Sequence, residues 1–342
     1  MNEQKSDGIE PGCSAGGFGV TGFTIRPFVR GQDEALWVDI HNRTWREDED
    51  FTPGTVEEVK RWEDAPWVGV RARLLAEVDG VPVARVKADT EKAATDKKGY
   101  LAGPDVVPEH RRKGIGTRLA RQGLASLRAA GMEIAEASSF DDTAAKGFFG
   151  SLGFGVVRRF SRTRRSLAEV PGGIGEAEDV DIVTLSRSDD DIGLMVRIRN
   201  EAFKEHFGFS PETLNNWKYA VKNWDERGVA YITVARAVGE PASFLSYGID
   251  PEENSYLKKK RGGLWDIGVL KQFRGRGIAK RLMIDAMKHL RREGMEEAEL
   301  GVDETNVTNA MKLYERLGFG VARRRLVWHK ELAGFDAPAQ PA

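Results

Sequence analysis

The amino-acid sequence repeats itself once, and this duplication limits the possible folds more than any other feature. The segment HNRTWREDEDFTPGT at 41–55 aligns with RNEAFKEHFGFSPET at 199–213, 158 residues later. The segment SLGFGVVRR at 151–159 aligns with RLGFGVARR at 316–324, 165 residues later. Because the offset changes by only seven residues over a domain's length, and far exceeds the period of a solenoid, the pattern predicts two copies of one domain.

The duplication also indicates where the domains begin and end. We predict a first domain at 23–168 and a second at 180–333. The segment EVPGGIGEAED at 169–179 is rich in glycine and acidic residues, which is typical of a linker. The glycine-rich residues 1–22 and the residues 334–342 are predicted to be loose tails.

Helical and strand-like patterns are mixed within each copy. In the second copy the apolar periodicity predicts helices at 192–205, 213–223, 277–293 and 306–317, with strands among them. The third of these helices carries an apolar stripe at a spacing of four residues: Ile278, Leu282, Ala286 and Leu290. We therefore predict the α/β class, two tandem domains that each have a mixed central sheet flanked by helices.

Composition excludes several classes of function. Lysine and arginine number 52 and acidic residues 53, so the net charge of −1 argues against a nucleic-acid-binding protein. No apolar run is long enough for a membrane span or a signal peptide, which predicts a cytoplasmic protein. The single cysteine, Cys13, and five histidines without metal-ligand spacing predict no metal site. Either a monomer or a homodimer is compatible with the sequence.

A basic, glycine-containing loop precedes a helix in both copies. It reads RGRGIA at 274–279 and RRKGIG at 111–116. The first N–H groups of a helix have no intrahelical acceptor and the helix dipole adds positive charge, so this position suits an anion. Glycine lets a phosphate approach the backbone closely. The loops therefore predict pyrophosphate binding, although on this pattern alone a solvated basic turn remains an equal alternative.

Two common pyrophosphate motifs do not fit these loops. A P-loop needs GxxxxGK[ST], and the sequence contains neither GKS nor GKT. The dinucleotide-binding fingerprint GxGxxG needs a third glycine where the second copy has Lys280.

The pattern [Q/R]xxGx[G/A] after a strand resembles the acetyl-coenzyme A site of the GNAT N-acetyltransferases. A second GNAT signature, an Asn-rich turn followed by a tyrosine-bearing helix and Leu-Gly-Phe, resembles NVTNAMKLYERLGF at 306–319. The resemblance covers both predicted domains, and the tandem arrangement is similar to that of mycothiol synthase-like proteins. It implies transfer of an acetyl group from acetyl-coenzyme A to a primary amine, on a small molecule or a protein N-terminus.

The resemblance also implies which residues contact coenzyme A. The end of the strand before the loop would hold the pantetheine and thioester, and the loop would hold the pyrophosphate. In the second domain these residues are Val269, Leu270, Lys271, Arg274, Gly275, Arg276, Gly277, Ile278, Ala279, Asn306 and Asn309. In the first domain they are Val106, Val107, Arg111, Arg112, Gly114, Ile115 and Gly116.

Tyr314 matches the general acid of the family. A phenol of ordinary pKa, about 10, is protonated at neutral pH and can donate to a departing thiolate. The first copy has Phe149 at the matching position, so we expect the second domain to carry the chemistry. The alternative is that Tyr314 serves only as a packing residue.

The proton acceptor is less well defined by the sequence. Asp266 lies on the strand before the loop, where the family often places a carboxylate. Strand alternation points its side chain away from that of Val269 unless a bulge intervenes. His206, Glu205 or no side chain at all are the alternatives.

Two functions from other classes compete with this interpretation. One is a non-catalytic coenzyme A-binding or regulatory module, which would not need a positioned acid. The other is a nucleic-acid-binding protein that uses its basic runs, at 158–165 and 257–261. We expect both runs to be solvated surface.

Overall fold

The computed structural model describes residues 22–92, 96–172, 180–306 and 310–335. Cys13, Asn309 and most of the predicted linker and tails lie outside these ranges. The described residues form the predicted mixed α/β fold, with twelve strands and nine helices. The first copy contains β1 (Phe23–Pro27), α1 (Glu34–Trp45), α2 (Val56–Glu63), β2 (Val68–Val78), β3 (Val81–Glu91), β4 (Lys98–Val106), α3 (Ile115–Ala129), β5 (Ile134–Phe140), α4 (Thr143–Ser151) and β6 (Gly155–Ser166). The second copy contains β7 (Val180–Thr184), α5 (Asp189–Phe203), α6 (Leu214–Arg227), β8 (Val229–Ala237), β9 (Glu240–Ile249), α7 (Pro251–Leu257), β10 (Arg261–Val269), α8 (Ile278–Arg292), β11 (Glu297–Asp303), α9 (Ala310–Arg316) and β12 (Gly320–Glu331).

Local sequence signals explain several of these helices. Helix α2 begins with a capping box, in which the Thr55 side chain accepts from the Glu58 N–H and the Glu58 carboxylate accepts from the Thr55 N–H. The predicted stripe of α8 is buried along its whole length, and α8 packs on β9 and β10. Helix α7 was not predicted, although Asp250 caps it and Pro251 occupies its first position.

All twelve strands belong to one sheet, in the order β1-β2-β3-β4-β5-β12-β6-β11-β10-β9-β8-β7. The last strand of each copy has crossed to the other copy. Strand β12 pairs antiparallel with β5, and β6 pairs antiparallel with β11. The two exchanged strands also pair with each other, so the copies are joined at the centre of the sheet.

The hydrophobic cores follow this exchange. Leu326 and Trp328 of β12 lie in the core of the first copy, where the Trp328 ring stacks on Phe149 at 5.4 Å. Leu167, just after β6, lies in the core of the second copy. The boundaries predicted at 168 and 180 stay a prediction, and neither predicted domain contains all the strands that cover its own core.

Ion pairs reinforce the junction between the copies. The Asp50 carboxylate lies 2.6 Å from Arg164, 3.2 Å from Arg162 and 3.4 Å from Arg261. Burial raises the pKa of Asp50, but the hydrogen bond from Arg164 and the three arginine charges outweigh it, so that the pKa lies below its ordinary value. The expectation that the basic runs at 158–165 and 257–261 are solvated surface was therefore wrong for Arg162, Arg164 and the buried Arg261, because β6 and β10 are inner strands of the sheet.

None of the described helices is long and apolar enough to span a bilayer. Among the described residues there is also no group of three or more His, Cys, Asp or Glu side chains arranged to hold a metal ion.

The strand exchange predicts that neither half folds alone as a monomer. Residues 22–172 expressed alone lack β12, which exposes the edge of β5 and part of the first core. Residues 180–335 alone lack β6, which exposes the edge of β11 and part of the second core. We expect the two fragments to co-purify as a one-to-one complex when they are co-expressed. Size-exclusion chromatography and thermal melting would check this, and a cooperatively melting monomer of either fragment would contradict it.

Candidate active site

The site in the second copy begins where two parallel strands part. Strands β10 and β11 pair from Arg261 and Glu297 to Leu264 and Leu300, and no further. Beyond that point β10 continues to Val269, paired only with β9 on its other side. The peptide groups of 265–269 that face the gap therefore have no partner strand and are available to a ligand. Strands β4 and β5 part in the same way after Leu101.

A cavity of about 1040 Å³ occupies this region. It is bounded by the end of β10, the loop before α8 and the helix α9. Five of its lining side chains are basic: Arg274, Arg276, Lys280, Lys312 and Arg316. No aspartate or glutamate is among the lining residues that the structure describes. A wall of this charge favours a ligand with several negative charges.

The loop before α8 has the backbone conformation that a phosphate cradle needs. Gly275 and Gly277 have φ of 79° and 78°, in the left-handed region that favours glycine. A Cβ added to Gly275 would meet no atom within 4 Å, so conformation and not space accounts for that glycine. The Arg281 N–H is bonded to the Gly277 carbonyl, which leaves the N–H groups of 278–280 without an intrahelical acceptor.

Arg274 lines the cavity, but its guanidinium also braces the site. Nε donates to the Val269 carbonyl at 3.1 Å and Nη2 donates to the Ala202 carbonyl at 3.1 Å. Arg111 makes the matching pair of bonds in the first copy, to the carbonyls of Val106 and Thr44. This arginine therefore ties the end of the splayed strand to helix α1 in the first copy and to helix α5 in the second, a direction that the sequence does not indicate.

Tyr314 is buried on α9 and lines the cavity together with Val269 and His206. Burial and the negative charge of Asp266 raise the pKa of Tyr314 to about 12. Its ring packs edge-on against Phe319 at 6.3 Å. Tyr314 is thus both a packing residue and a phenol that keeps its proton throughout the physiological pH range.

Asp266 follows an irregularity in β10. The register with β9 shifts between Leu264 and Asp266, so the bulge falls before Asp266 and does not change its alternation with Val269. Asp266 is not among the described residues lining the cavity. Burial raises the pKa of this carboxyl, and the Arg199 charge opposes the rise in part. A carboxyl in this state accepts a proton more readily than an exposed one.

The two alternatives for the proton acceptor differ sharply. His206 is partly buried and borders the cavity. Burial, and then the charge of Arg274, lower its pKa, so its imidazole is neutral at neutral pH. Glu205 is instead exposed and forms ion pairs with Lys271 at 2.9 Å and with Arg274 at 3.3 Å. These contacts lower the pKa of Glu205, which makes it a poor proton acceptor.

The first copy has the same glycine at the start of its helix but differs from the second copy at the positions that match Tyr314, Gly275 and Ala279. Phe149 replaces the tyrosine and is buried in the core. Arg112 takes the left-handed conformation, with φ of 62°, where the second copy has Gly275. A Cβ at Gly116 would lie 3.3 Å from both Pro104 and Val106, whereas the matching Ala279 already carries one.

The loop that carries His206 has an anchor that was not predicted from the sequence. The ring of Phe207 stacks on His329 of β12 at 5.8 Å, and the Arg158 guanidinium of β6 lies 4.7 Å from its centroid. Because Phe207 packs against the two exchanged strands, the local sequence pattern did not indicate this contact. Lys312 and Arg316 were missed as well, although their spacing of four residues on α9 places them on one face.

Comparison with known proteins agrees with this geometry. The model of the acetyltransferase (GNAT) family matches the chain twice, at residues 36–154 and 194–319. The mycothiol acetyltransferase of Mycobacteroides abscessus is 31% identical over 259 residues, which cover 74% of this chain and 83% of that protein.

Two solved structures share the overall fold. A tandem GNAT protein from the clavulanic acid biosynthesis pathway superposes with a TM-score of 0.71 at 16% identity, over 93% of this chain and all of that one. A GCN5-related N-acetyltransferase from Sphaerobacter thermophilus superposes with a TM-score of 0.66 at 23% identity, over 91% of this chain and 96% of that one. The tandem arrangement predicted from the duplication is confirmed.

Proposed function

Because the chain belongs to the acetyltransferase (GNAT) family, we propose that it transfers an acetyl group from acetyl-coenzyme A to a primary amine, with the chemistry in its second copy. The observation that carries this proposal is the cavity beside Tyr314, which has five basic side chains and, among its described lining residues, no acidic one. A buried phenol at such a cavity fits the transfer of an acyl group from a polyanionic carrier.

The second-copy cavity fits coenzyme A, which carries a pyrophosphate and a further phosphate. Gly275, Gly277 and the first N–H groups of α8 would hold the pyrophosphate. Arg276, Lys312 and Arg316 line the same cavity and would neutralise the remaining negative charge. The unpaired peptide groups of 265–269 would hydrogen-bond the amides of the pantetheine arm.

The bound thioester supplies the electrophilic carbonyl, and the protein manages two protons. Tyr314 donates one toward the sulfur as the thiol leaves, because its raised pKa keeps the hydroxyl protonated. Asp266 accepts the other, directly or through a water, as the ammonium group of the acceptor becomes the neutral amine that attacks the carbonyl. The C–N bond then forms as the C–S bond breaks. His206 is the second candidate for this role, because it borders the cavity and is neutral.

The pH dependence of kcat/KM separates these two acceptors. A base works only when deprotonated, so with Asp266 the rate should rise with pH through the raised pKa of that carboxyl. We expect Asp266→Asn to lower kcat at least about tenfold and to flatten this acidic limb, while His206→Gln changes kcat less than about threefold. A flattened limb in His206→Gln alone would assign the role to His206. Ionisation of Tyr314 should not reduce the rate below about pH 11, because its pKa is about 12.

The acceptor can be sought among amines of three kinds. The relative from Mycobacteroides abscessus is named for mycothiol, which makes the amine precursor of mycothiol the first compound to test. Aminoglycosides and peptides with a free N-terminus would complete the set. Mass spectrometry should find an acetylated product for one of them. If the protein binds acetyl-coenzyme A but neither acetylates any amine nor hydrolyses the cofactor, a regulatory module would be favoured instead.

A further inference from the structure

A second cavity, of about 680 Å³, lies in the first copy. It is bounded by α1, α2 and the strands β3 to β5, and it shares no lining residue with the cavity beside Tyr314. Its walls are rich in aromatic rings, contributed by Trp37, Trp45, Phe51, Trp62 and Phe140. Such walls suit the flat or apolar part of a small molecule.

Nearly all the charges that line this cavity are neutralised within the protein. Each lining carboxylate has a cationic partner within 4 Å: Asp48 with Arg323, Asp50 with Arg164, Glu58 with Arg227, Asp105 with Arg85, and Glu136 with Lys98. Two further lining cations are paired in the same way, Arg73 with Glu63 and Lys87 with Asp89.

Arg325 is the exception. It lies on β12, the exchanged strand, where its backbone pairs with β5 and β6. Its side chain forms no ion pair or hydrogen bond with any residue that the structure describes. Its guanidinium lies 5.7 Å from the centroid of the Phe140 ring. The Arg325 side chain lines the cavity and is exposed to solvent. Loss of part of its hydration against the cavity wall, and then the charges of Arg162 and Arg323, lower the pKa of Arg325. Within the described part of the chain, this arginine therefore has like-charged neighbours and no anionic partner.

We propose that the cavity of the first copy binds a small organic anion, with its carboxylate or phosphate group on Arg325 and its organic part against the aromatic walls. A guanidinium presents two parallel N–H donors that match either group. A cationic ligand is disfavoured, because the carboxylates of the wall already have partners. This inference does not depend on which reaction the second copy catalyses.

Thermal melting of the ligand-free protein tests whether Arg325 has a structural partner. Because Arg325 repels its neighbours, Arg325→Gln should melt within about 3 °C of the wild type or above it. Arg324→Gln is the matched control, since Arg324 lies beside it on β12 and pairs with Glu304 at 2.9 Å. A fall of more than about 3 °C in Arg325→Gln, beyond that of the control, would overturn the proposal by showing a structural role.

Ligand-observed saturation-transfer NMR on the full chain tests binding with three probes: benzoate, phenyl phosphate and uncharged benzamide. At least one anion should bind about tenfold tighter than benzamide, and the tighter anion identifies the group that the site prefers. Arg325→Gln should weaken that anion about tenfold, Arg325→Lys should retain part of the affinity, and Arg324→Gln should bind normally. Saturating acetyl-coenzyme A should not displace the anion.

Three results would overturn the proposal. They are no binding of either anion to the wild type, equal binding to Arg325→Gln, and displacement by acetyl-coenzyme A. The last would place the probe in a coenzyme A site of either copy.

Discussion

Replacing Tyr314 with phenylalanine should lower kcat at least about a hundredfold and leave the KM for acetyl-coenzyme A within about twofold. The change removes only the hydroxyl, which has a pKa of about 12 and is therefore protonated at neutral pH. The ring can keep its contact with Phe319, so the fold should be preserved. Steady-state kinetics with a saturating amine would measure the effect.

The first copy supplies the control for this experiment. Phe149 already occupies the matching position and is buried, which indicates that a helix of this kind accommodates phenylalanine. Phe149→Tyr should leave kcat unchanged if the second copy alone performs the chemistry. Unchanged turnover in Tyr314→Phe, with an unaltered melting temperature, would remove Tyr314 from proton transfer.

Replacing Gly277 with aspartate should weaken acetyl-coenzyme A binding at the second copy by at least about a hundredfold. The new carboxylate would stand at the start of α8 and repel the pyrophosphate. The residue would also have to keep a φ of 78°, a strain of roughly 1–2 kcal/mol that a protein of this size tolerates. Isothermal titration calorimetry would measure the loss directly.

Gly114→Asp is the matched control, because Gly114 has a φ of 79° and starts α3 in the same way. Two sites in the wild type, each abolished by its own variant, would mean that both loops bind coenzyme A. One site, lost only in Gly277→Asp, would make the first copy a scaffold. Full binding in a folded Gly277→Asp variant would contradict the assignment of the α8 loop.

The features predicted correctly from the sequence are those that local patterns encode. The duplication, the order of elements and the buried stripe of α8 depend on spacings within a few turns of chain. The predicted helices agree with the structure closely: α5 spans Asp189–Phe203 and α8 spans Ile278–Arg292. Tyr314 and the glycine loop border one cavity, whereas the roles that the resemblance implies for them stay a prediction.

The strand exchange could not be predicted, and the duplication itself explains why. The segments that lead into β6 and β12, SLGFGVVRR and RLGFGVARR, are almost the same. These shared segments do not indicate which edge, that of β5 or of β11, each strand joins, because the choice depends on contacts far apart in the chain. The wrong prediction for the basic run at 158–165 has the same cause, because Arg162 and Arg164 form ion pairs with Asp50 only once β6 has crossed to the second copy.

The direction of the arginines was likewise beyond the sequence. The RGRG motif indicates positive charge, but only the folded loop shows that the Arg274 guanidinium donates to the carbonyls of Val269 and Ala202. Arg325 gave no signal at all, since its significance lies in the partners it lacks among the described residues.

The crossing of β6 and β12 has a consequence for how the two halves can evolve. In a dimer of identical subunits that swap a strand, every substitution appears in both sites, so loss of a tyrosine would disable both at once. Here one gene encodes both halves as separate stretches of one chain. The first half can carry Phe149 while its last strand still completes the sheet of the second. Selection can therefore retain a half for the strand that it contributes to the other half, whether or not its own site carries a tyrosine.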